Sequence, residues 1–358
     1  MKYLNALNKI SGVGHKKLKI LLDYFGSGEK IWTSSRADLI ETGIDRKTID
    51  NIISQREIIN PDTELELLAK ENIKILSIND DDYPELLKEI PSAPSLLYIK
   101  GDFNFNENPS LAIVGSRKLT NYGKQVAYSL SRDLTKSGIT IVSGMALGID
   151  TIAHRGALES EGKTVAVLGS SLDDINIGPK SNYSLSRQIL ENGALVSDYP
   201  ISTPASAGTF PSRNRIMAGL TLGTIVIEAA ERSGTLITAN LALEFNREVF
   251  AVPGSIFSPV STGANNLIRL GARIVTGVND ILEELNLEKK ALEKNTKKII
   301  PDSVEEEKVI KILSGELTHI DRIIKLTKLE TSVVSSTLVI LEMKGLIKDM
   351  GGQNYITL

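Results

Sequence analysis

The chain has 358 residues, 41% of them hydrophobic and 24% charged, with a formal net charge of -3. That length predicts two or three domains able to bury real cores, and the absence of cysteine excludes disulfides, thiolate metal sites and cysteine nucleophiles. The near-neutral charge excludes a uniformly basic surface but not a local groove of arginines.

Three histidines, His15, His154 and His319, stand far apart in the sequence, so neither a metal centre nor a cofactor is expected. The first residues lack the apolar core of a signal peptide, and no apolar run is long enough to span a bilayer. The expectation is a cytoplasmic protein with no membrane partner.

Residues 1–65 read as short helices, with Ile10-Ser11-Gly12-Val13-Gly14-His15-Lys16-Lys17 at a turn. Residues 66–110 are expected to connect, held extended by Pro84, Pro91 and Pro94. From about residue 110 the pattern becomes strand, loop, helix, repeated. Strands are predicted over 111–115, 140–144, 164–169, 194–199, 224–229, 249–253 and 272–276. These are short runs rich in Val and Ile, as strands buried on both faces require. Helix-length segments between most of them imply parallel βαβ units, hence an α/β, Rossmann-like, doubly wound parallel sheet within residues 66–287. Residues 287–302 read as a charged linker. Beyond it, 303–358 predict three helices and a hairpin turning at Gly351-Gly352, the outline of a winged helix.

Open parallel sheets bind ligands where strands lead into helices, because unpaired amides at helix starts suit anions. Three such turns carry small residues: Gly115-Ser116-Arg117, Ser143-Gly144-Met145-Ala146-Leu147-Gly148, and Arg232-Ser233-Gly234-Thr235. Each has a plain alternative in tight packing; three in one sheet favour a phosphate-binding edge. Between them lies Thr209-Phe210-Pro211-Ser212-Arg213-Asn214-Arg215, a helix start. Its cations oppose the helix dipole, a cost that an anionic partner would offset. Phe210 either packs inward as a staple or exposes its ring to a base; the residues alone favour packing. Arg117, Arg213 and Arg215 are the candidates to line a groove.

Other signals are weaker. Ala157–Thr164 has relaxed Walker A spacing, but it closes a helix and enters a strand, so it reads as a helix C-cap with Gly162. Asp150 and His154 share a helical face and read as a stabilising hydrogen bond rather than an acid/base couple. No catalytic nucleophile-base pair, carboxylate dyad or metal triad emerges. A dinucleotide-dependent redox enzyme lacks its glycine fingerprint.

The blocks Val114-Gly115-Ser116-Arg117, Ser143–Asp150 with Ala153-His154, Phe210-Pro211-x-Arg213-Asn214-Arg215-Ile216, Glu228–Ala239 and Arg247–Gly254 together resemble the DprA/Smf family of DNA-processing proteins, over roughly residues 75–285. The resemblance implies a non-catalytic protein that binds single-stranded DNA, forms homodimers, and brings RecA recombinase to incoming DNA during natural transformation. It implies that Arg117 holds phosphate, Phe210 stacks a base, and Arg213 and Asn214 line the groove. It reverses the packing preference for Phe210. With Gly115, Ser116, Gly144, Ser233, Gly234 and Thr235, these residues make up the expected DNA site.

Two departures stand out. The loop Thr203–Thr209 carries no basic residue where many relatives have one, and Gly178-Pro179 stands where relatives tend to have Tyr-Pro, with Lys180 beside it as a possible substitute cation. The dimer contact is expected at Leu267, Ile268 and Leu270. Residues 10–17 resemble a helix-hairpin-helix, or equally a packing module using the same turn. The C-terminal segment resembles the winged-helix domain of some family members, with a helix over 331–344 too poor in cations for strong duplex binding. The alternative is a nucleotide-processing enzyme of the phosphoribohydrolase-like Rossmann group, weakened by Ile237 and Thr238 standing where its catalytic glutamate is needed.

Overall fold

The structure is a computed structural model that describes residues 1–287, 303–313, 318–344, 346–349 and 352–357. The chain divides into two compact units, Met1–Ala291 and Leu292–Leu358.

The larger unit is built on a nine-stranded sheet of β1 (Ile73–Ser77), β2 (Leu96–Lys100), β3 (Ser110–Val114), β4 (Thr140–Ser143), β5 (Thr164–Val167), β6 (Gly193–Ser197), β7 (Gly223–Val226), β8 (Glu248–Ala251) and β9 (Arg273–Ile274). Their order across the sheet is β1-β2-β6-β5-β4-β3-β7-β8-β9. From β6 to β9 every pairing is parallel; β2 pairs antiparallel with both β1 and β6. The chain therefore steps outward from β3 through β6, then returns to place β7 on the other side of β3. The carboxyl ends of β3 and β7 flank a topological switch point, where open α/β sheets bind ligands.

Both faces of the sheet are covered at β2 to β8, which explains the apolar runs. In β3, Leu111 and Ile113 pack with Ala127, Leu130 and Ile152 of the helices Asn121–Lys136 and Ile149–Glu159. Val114 faces the other way, into a cluster with Ile216, Met217 and Ala239 of the helices Thr209–Gly219 and Thr235–Glu244. Alternation at period two sends one strand into two cores.

Residues 66–110 depart from the expected extended connection, since they hold β1 and β2. The prolines that suggested an irregular segment, Pro84, Pro91 and Pro94, all lie between these strands. The helix Ile149–Glu159 also ends differently. The left-handed residue is Glu161, at φ 55°, while the Gly162 amide donates to Ala157 O. Gly162 is small because a Cβ there would overlap Thr135.

Six helices precede the sheet: Lys2–Lys9, His15–Phe25, Gly28–Thr33, Arg36–Glu41, Arg46–Gln55 and Pro61–Lys70. Their core, including Leu7, Leu18, Leu21, Ile31 and Ile52, extends to Leu96 of β2. The Tyr98 hydroxyl donates to Asn5 Oδ1 at 2.8 Å, and the Asn8 amide donates to Tyr98 Oη and Asp198 O, both at 3.1 Å. At the glycine turn, the Ser11 N–H donates to Gln55 Oε1, and Lys17 pairs with Asp45 at 2.6 Å.

The smaller unit contains the helices Val304–Leu313, Ile320–Thr327 and Thr331–Met343. Its antiparallel sheet joins Thr318–His319, Asn354–Thr357 and Ile347–Asp349 in that spatial order. Val309, Leu313, Ile323, Val334, Leu338 and Leu341 form its core. The short strand Thr318–His319 carries no sequence signal. Residues 288–302 of the expected linker, and Gly351 of the expected turn, lie outside the described residues. Among the described residues no helix is long and apolar enough to cross a membrane.

Candidate functional site

At the switch point, Gly115, Ser116, Arg117, Phe210, Arg213, Asn214, Ser233, Gly234 and Thr235 line a single cavity of about 470 Å³. Gly144 lines an adjoining cavity of about 210 Å³, which shares Arg117, Ala146 and Phe210 with the first. Segments up to about 120 residues apart in sequence are thus drawn to one rim by the parallel topology.

The three strand-to-helix turns are not equivalent. After β3, the Glu228 carboxylate accepts from both the amide and the hydroxyl of Thr120, the N-cap of the helix Asn121–Lys136. The protein's own acid therefore occupies the place an anion would take at that helix start. After β4, the Asp150 carboxylate accepts from the Gly144 and Ala146 amides at 3.2 and 3.3 Å. The glycines there answer to packing: a Cβ at Gly115 would overlap Ile149, and one at Gly144 would overlap the Arg213 guanidinium. After β7, Ser233-Gly234-Thr235 leads into the helix Thr235–Glu244, whose N-cap Gly234 has open space where a Cβ would be. The expectation of three open amide nests is corrected: internal carboxylates sit at the first two turns, and at the third the Thr235, Leu236 and Ile237 amides donate to Ser233 Oγ, Ser233 O and Gly234 O.

The arginines also divide. Arg213 is 4% exposed; its guanidinium donates to Val167 O at the end of β5 and faces Asp150. Burial lowers its pKa to about 10, so it stays protonated at neutral pH. Burial raises the Asp150 carboxyl, against the opposing pull of Arg213 and the two amides. Arg213 thus forms the cavity floor and ties β5 to the β4 turn. Arg215 is excluded from the groove: it is buried, pairs with Asp198 and donates to Ser92 O. Asn214 is 9% exposed.

Arg117 is different. It is exposed, and its guanidinium carbon lies 5.2 Å from the centre of the Phe210 ring. Phe210 is half-buried, so its ring is neither a fully packed staple nor a free flag. Together the two side chains form a wall between the cavities. Lys118, to which the sequence assigned no role, and Arg232, named there only as the start of the third turn, also line the larger cavity. Among the described residues, Arg117, Lys118 and Arg232 form no ion pair with a carboxylate. The missed signal was adjacency: Lys118 follows Arg117 and Arg232 precedes Ser233, each at a strand-to-helix turn. Ile237 and Thr238 also line the cavity, and neither supplies an acid.

Several expectations do not survive. Asp150 and His154 make no mutual hydrogen bond: the His154 ring bonds Thr164 Oγ1 through Nδ1 at 2.7 Å, while Asp150 serves the amides. Lys180 is turned onto its own loop, donating to Ile175 O at 2.6 Å and to Asp174 O. Of the three residues assigned to a dimer contact, Leu267 is in the core and Ile268 packs partly against it; Leu270 is 80% exposed. Helical period explains the split, since the helix Thr262–Arg269 turns its apolar stripe inward.

Comparison with known proteins adds an independent line. Residues 74–286 match the family model of DNA recombination-mediator protein A, and residues 293–353 match that of the DprA winged helix domain. The chain is 36% identical to protein Smf of Synechocystis, covering 99% of this chain and 98% of that one. It is 44% identical to the DNA processing protein DprA of Streptococcus pneumoniae over 61% of this chain and 77% of that one. An X-ray structure of the S. pneumoniae protein superposes with a TM-score of 0.70 at 36% identity, covering 79% of this chain and 98% of that one. A structure of DNA processing protein A from Helicobacter pylori, described for its single-stranded DNA binding mode, gives 0.54 at 31% identity, covering 60% of this chain and 95% of that one.

Proposed function

Because the chain belongs to the DNA recombination-mediator protein A family, also called DprA or Smf, we propose that it mediates DNA recombination by holding single-stranded DNA at the β3–β7 rim, without catalysing a reaction on it. The carrying observation is the Arg117–Phe210 wall between a cation-lined cavity and a smaller apolar one. Phosphate belongs on the side of the exposed cations Arg117, Lys118 and Arg232. A base belongs on the side lined by Leu147, Leu168, Pro179 and Phe210. A duplex keeps its bases stacked inside and offers no free face for such a cavity.

RecA recombinase is the inferred protein partner, and the support for it is the mediator description of the family. Self-association is inferred on the same ground, with exposed Leu270 and exposed Ile274 of the edge strand β9 as the proposed surface. The place of action inferred for such a mediator is the cytoplasm.

The test is an anisotropy titration with labelled oligothymidine and with duplex, at several salt concentrations. The reading requires tighter binding of the single strand and a log–log salt slope of about -0.7 per neutralised phosphate. Equal affinity for the duplex, or binding indifferent to salt, rejects it.

A further inference from the structure

The rim carries a second feature, outside the cleft. The loop between β8 and the helix Thr262–Arg269 presents Ile256 and Phe257 at 83% and 89% exposure. Neither belongs to a hydrophobic cluster of the fold. The tip is nonetheless held from behind. The Asn265 side chain accepts from Gly254 N–H at 3.1 Å and donates to Gly254 O at 3.0 Å. The Tyr122 hydroxyl donates to Pro253 O at 2.8 Å, and the Ser258 amide donates to Ser255 O at 3.0 Å.

The loop adjoins the cleft. Val260, three residues beyond Phe257, lines the larger cavity with Ser233 and Thr235. The Gly263 N–H donates to Ala229 O, next to Ala230 of the same lining. From Val249 to Ile268 the sequence contains no charged residue, so the loop offers nothing to a phosphate beyond hydroxyls and amides. An exposed ring without cations, beside a cleft with them, fits the π-face of a base. Two side chains of this size present at most about 500 Å², short of the roughly 800 Å² per partner that a stable protein interface buries.

We propose that Phe257, flanked by Ile256, is a second base-stacking platform, taking a nucleobase of the strand where it leaves the cleft past Ser233–Thr235. This rests on the reading of the cleft as a single-strand site. The cleft then grips phosphate through charge, while the loop adds a contact that salt does not screen.

The experiment titrates oligothymidines of about four and about sixteen nucleotides against the full chain and its Phe257→Ala, Phe257→Tyr and Arg117→Ala variants. Phe257→Ala should weaken the longer oligonucleotide about tenfold, leave the shorter one unchanged and keep the salt slope. Phe257→Tyr should restore binding, and a long oligonucleotide lacking bases at its outer positions should not distinguish Phe257→Ala from the parent. Parental binding by Phe257→Ala at both lengths overturns the proposal. So does a fall in light-scattering mass with unchanged binding, which assigns the loop to self-association. If Arg117→Ala weakens both lengths while Phe257→Ala weakens neither, only this proposal falls. If Arg117→Ala binds as the parent does, the cleft reading itself has failed.

Discussion

The Arg117 guanidinium lies over the Phe210 ring, 5.2 Å from carbon to ring centre, although 93 residues separate them in sequence. One arrives on the turn after β3, the other on the first turn of the helix Thr209–Gly219. A guanidinium over an aromatic face keeps N–H donors for an anion.

The contact makes the two residues separable by salt. Arg117→Ala should weaken single-strand binding and flatten its salt slope by about 0.7. Phe210→Ala should weaken binding by about 1–3 kcal/mol without changing the slope. A double-mutant cycle by anisotropy should show coupling of at least about 0.5 kcal/mol. Strictly additive effects would show that the wall does not act as a unit.

Position 144 tests the cavity floor. A methyl group there overlaps the Arg213 guanidinium, so Gly144→Ala should displace Arg213 from Val167 O and destabilise the fold by about 1–3 kcal/mol. Gly234→Ala meets open space at φ -59° and should change stability by no more than about 0.5 kcal/mol. Urea denaturation of both variants checks the contrast.

Acid sensitivity should follow from His154. Its ring is fully buried, which lowers its pKa from 6.5 to about 3, with Arg213 adding to the shift. Well above pH 6.5 neither the folded nor the unfolded state binds a proton at this site. As pH falls below 6.5 the unfolded state takes up a proton that the folded state refuses, so stability is lost, by about 2 kcal/mol at pH 5. His154→Gln should lose the hydrogen bond to Thr164 but show a shallower decline between pH 6.5 and 5. An unchanged slope in pH-dependent unfolding would place the acid sensitivity elsewhere.

Leu270 provides the surface test of self-association. At 80% exposure it can become Asp without damage to the core, so the melting temperature of Leu270→Asp should match the parent. If the inferred pairing uses this face, the light-scattering mass should fall to that of one chain. A variant that keeps the parental mass moves the contact to another surface.

The sequence was most informative where a local pattern and a burial requirement coincide. The parallel strands β3 to β8 announced themselves as short apolar runs between turn residues, because both their faces are covered, whereas β9, Arg273–Ile274, is exposed at the sheet edge. The antiparallel β1 and β2 were hidden by the prolines between them, which dominate any reading of that stretch. The helices and hairpin of the smaller unit were legible for the same local reasons as the parallel strands.

Side-chain partners are another matter. From sequence, Arg117, Arg213 and Arg215 are interchangeable cations beside small residues. The fold puts one over an aromatic ring, one on the cavity floor facing Asp150, and one in a buried pair with Asp198. Likewise Gly115, Gly144 and Gly234 look alike until Ile149, Arg213 and open space are found opposite them. Hydrophobic periodicity is set by neighbours a few residues away and so can be read along the chain. Pairing between groups a hundred residues apart depends on strand order and on which face each helix covers, and only the folded sheet decides that.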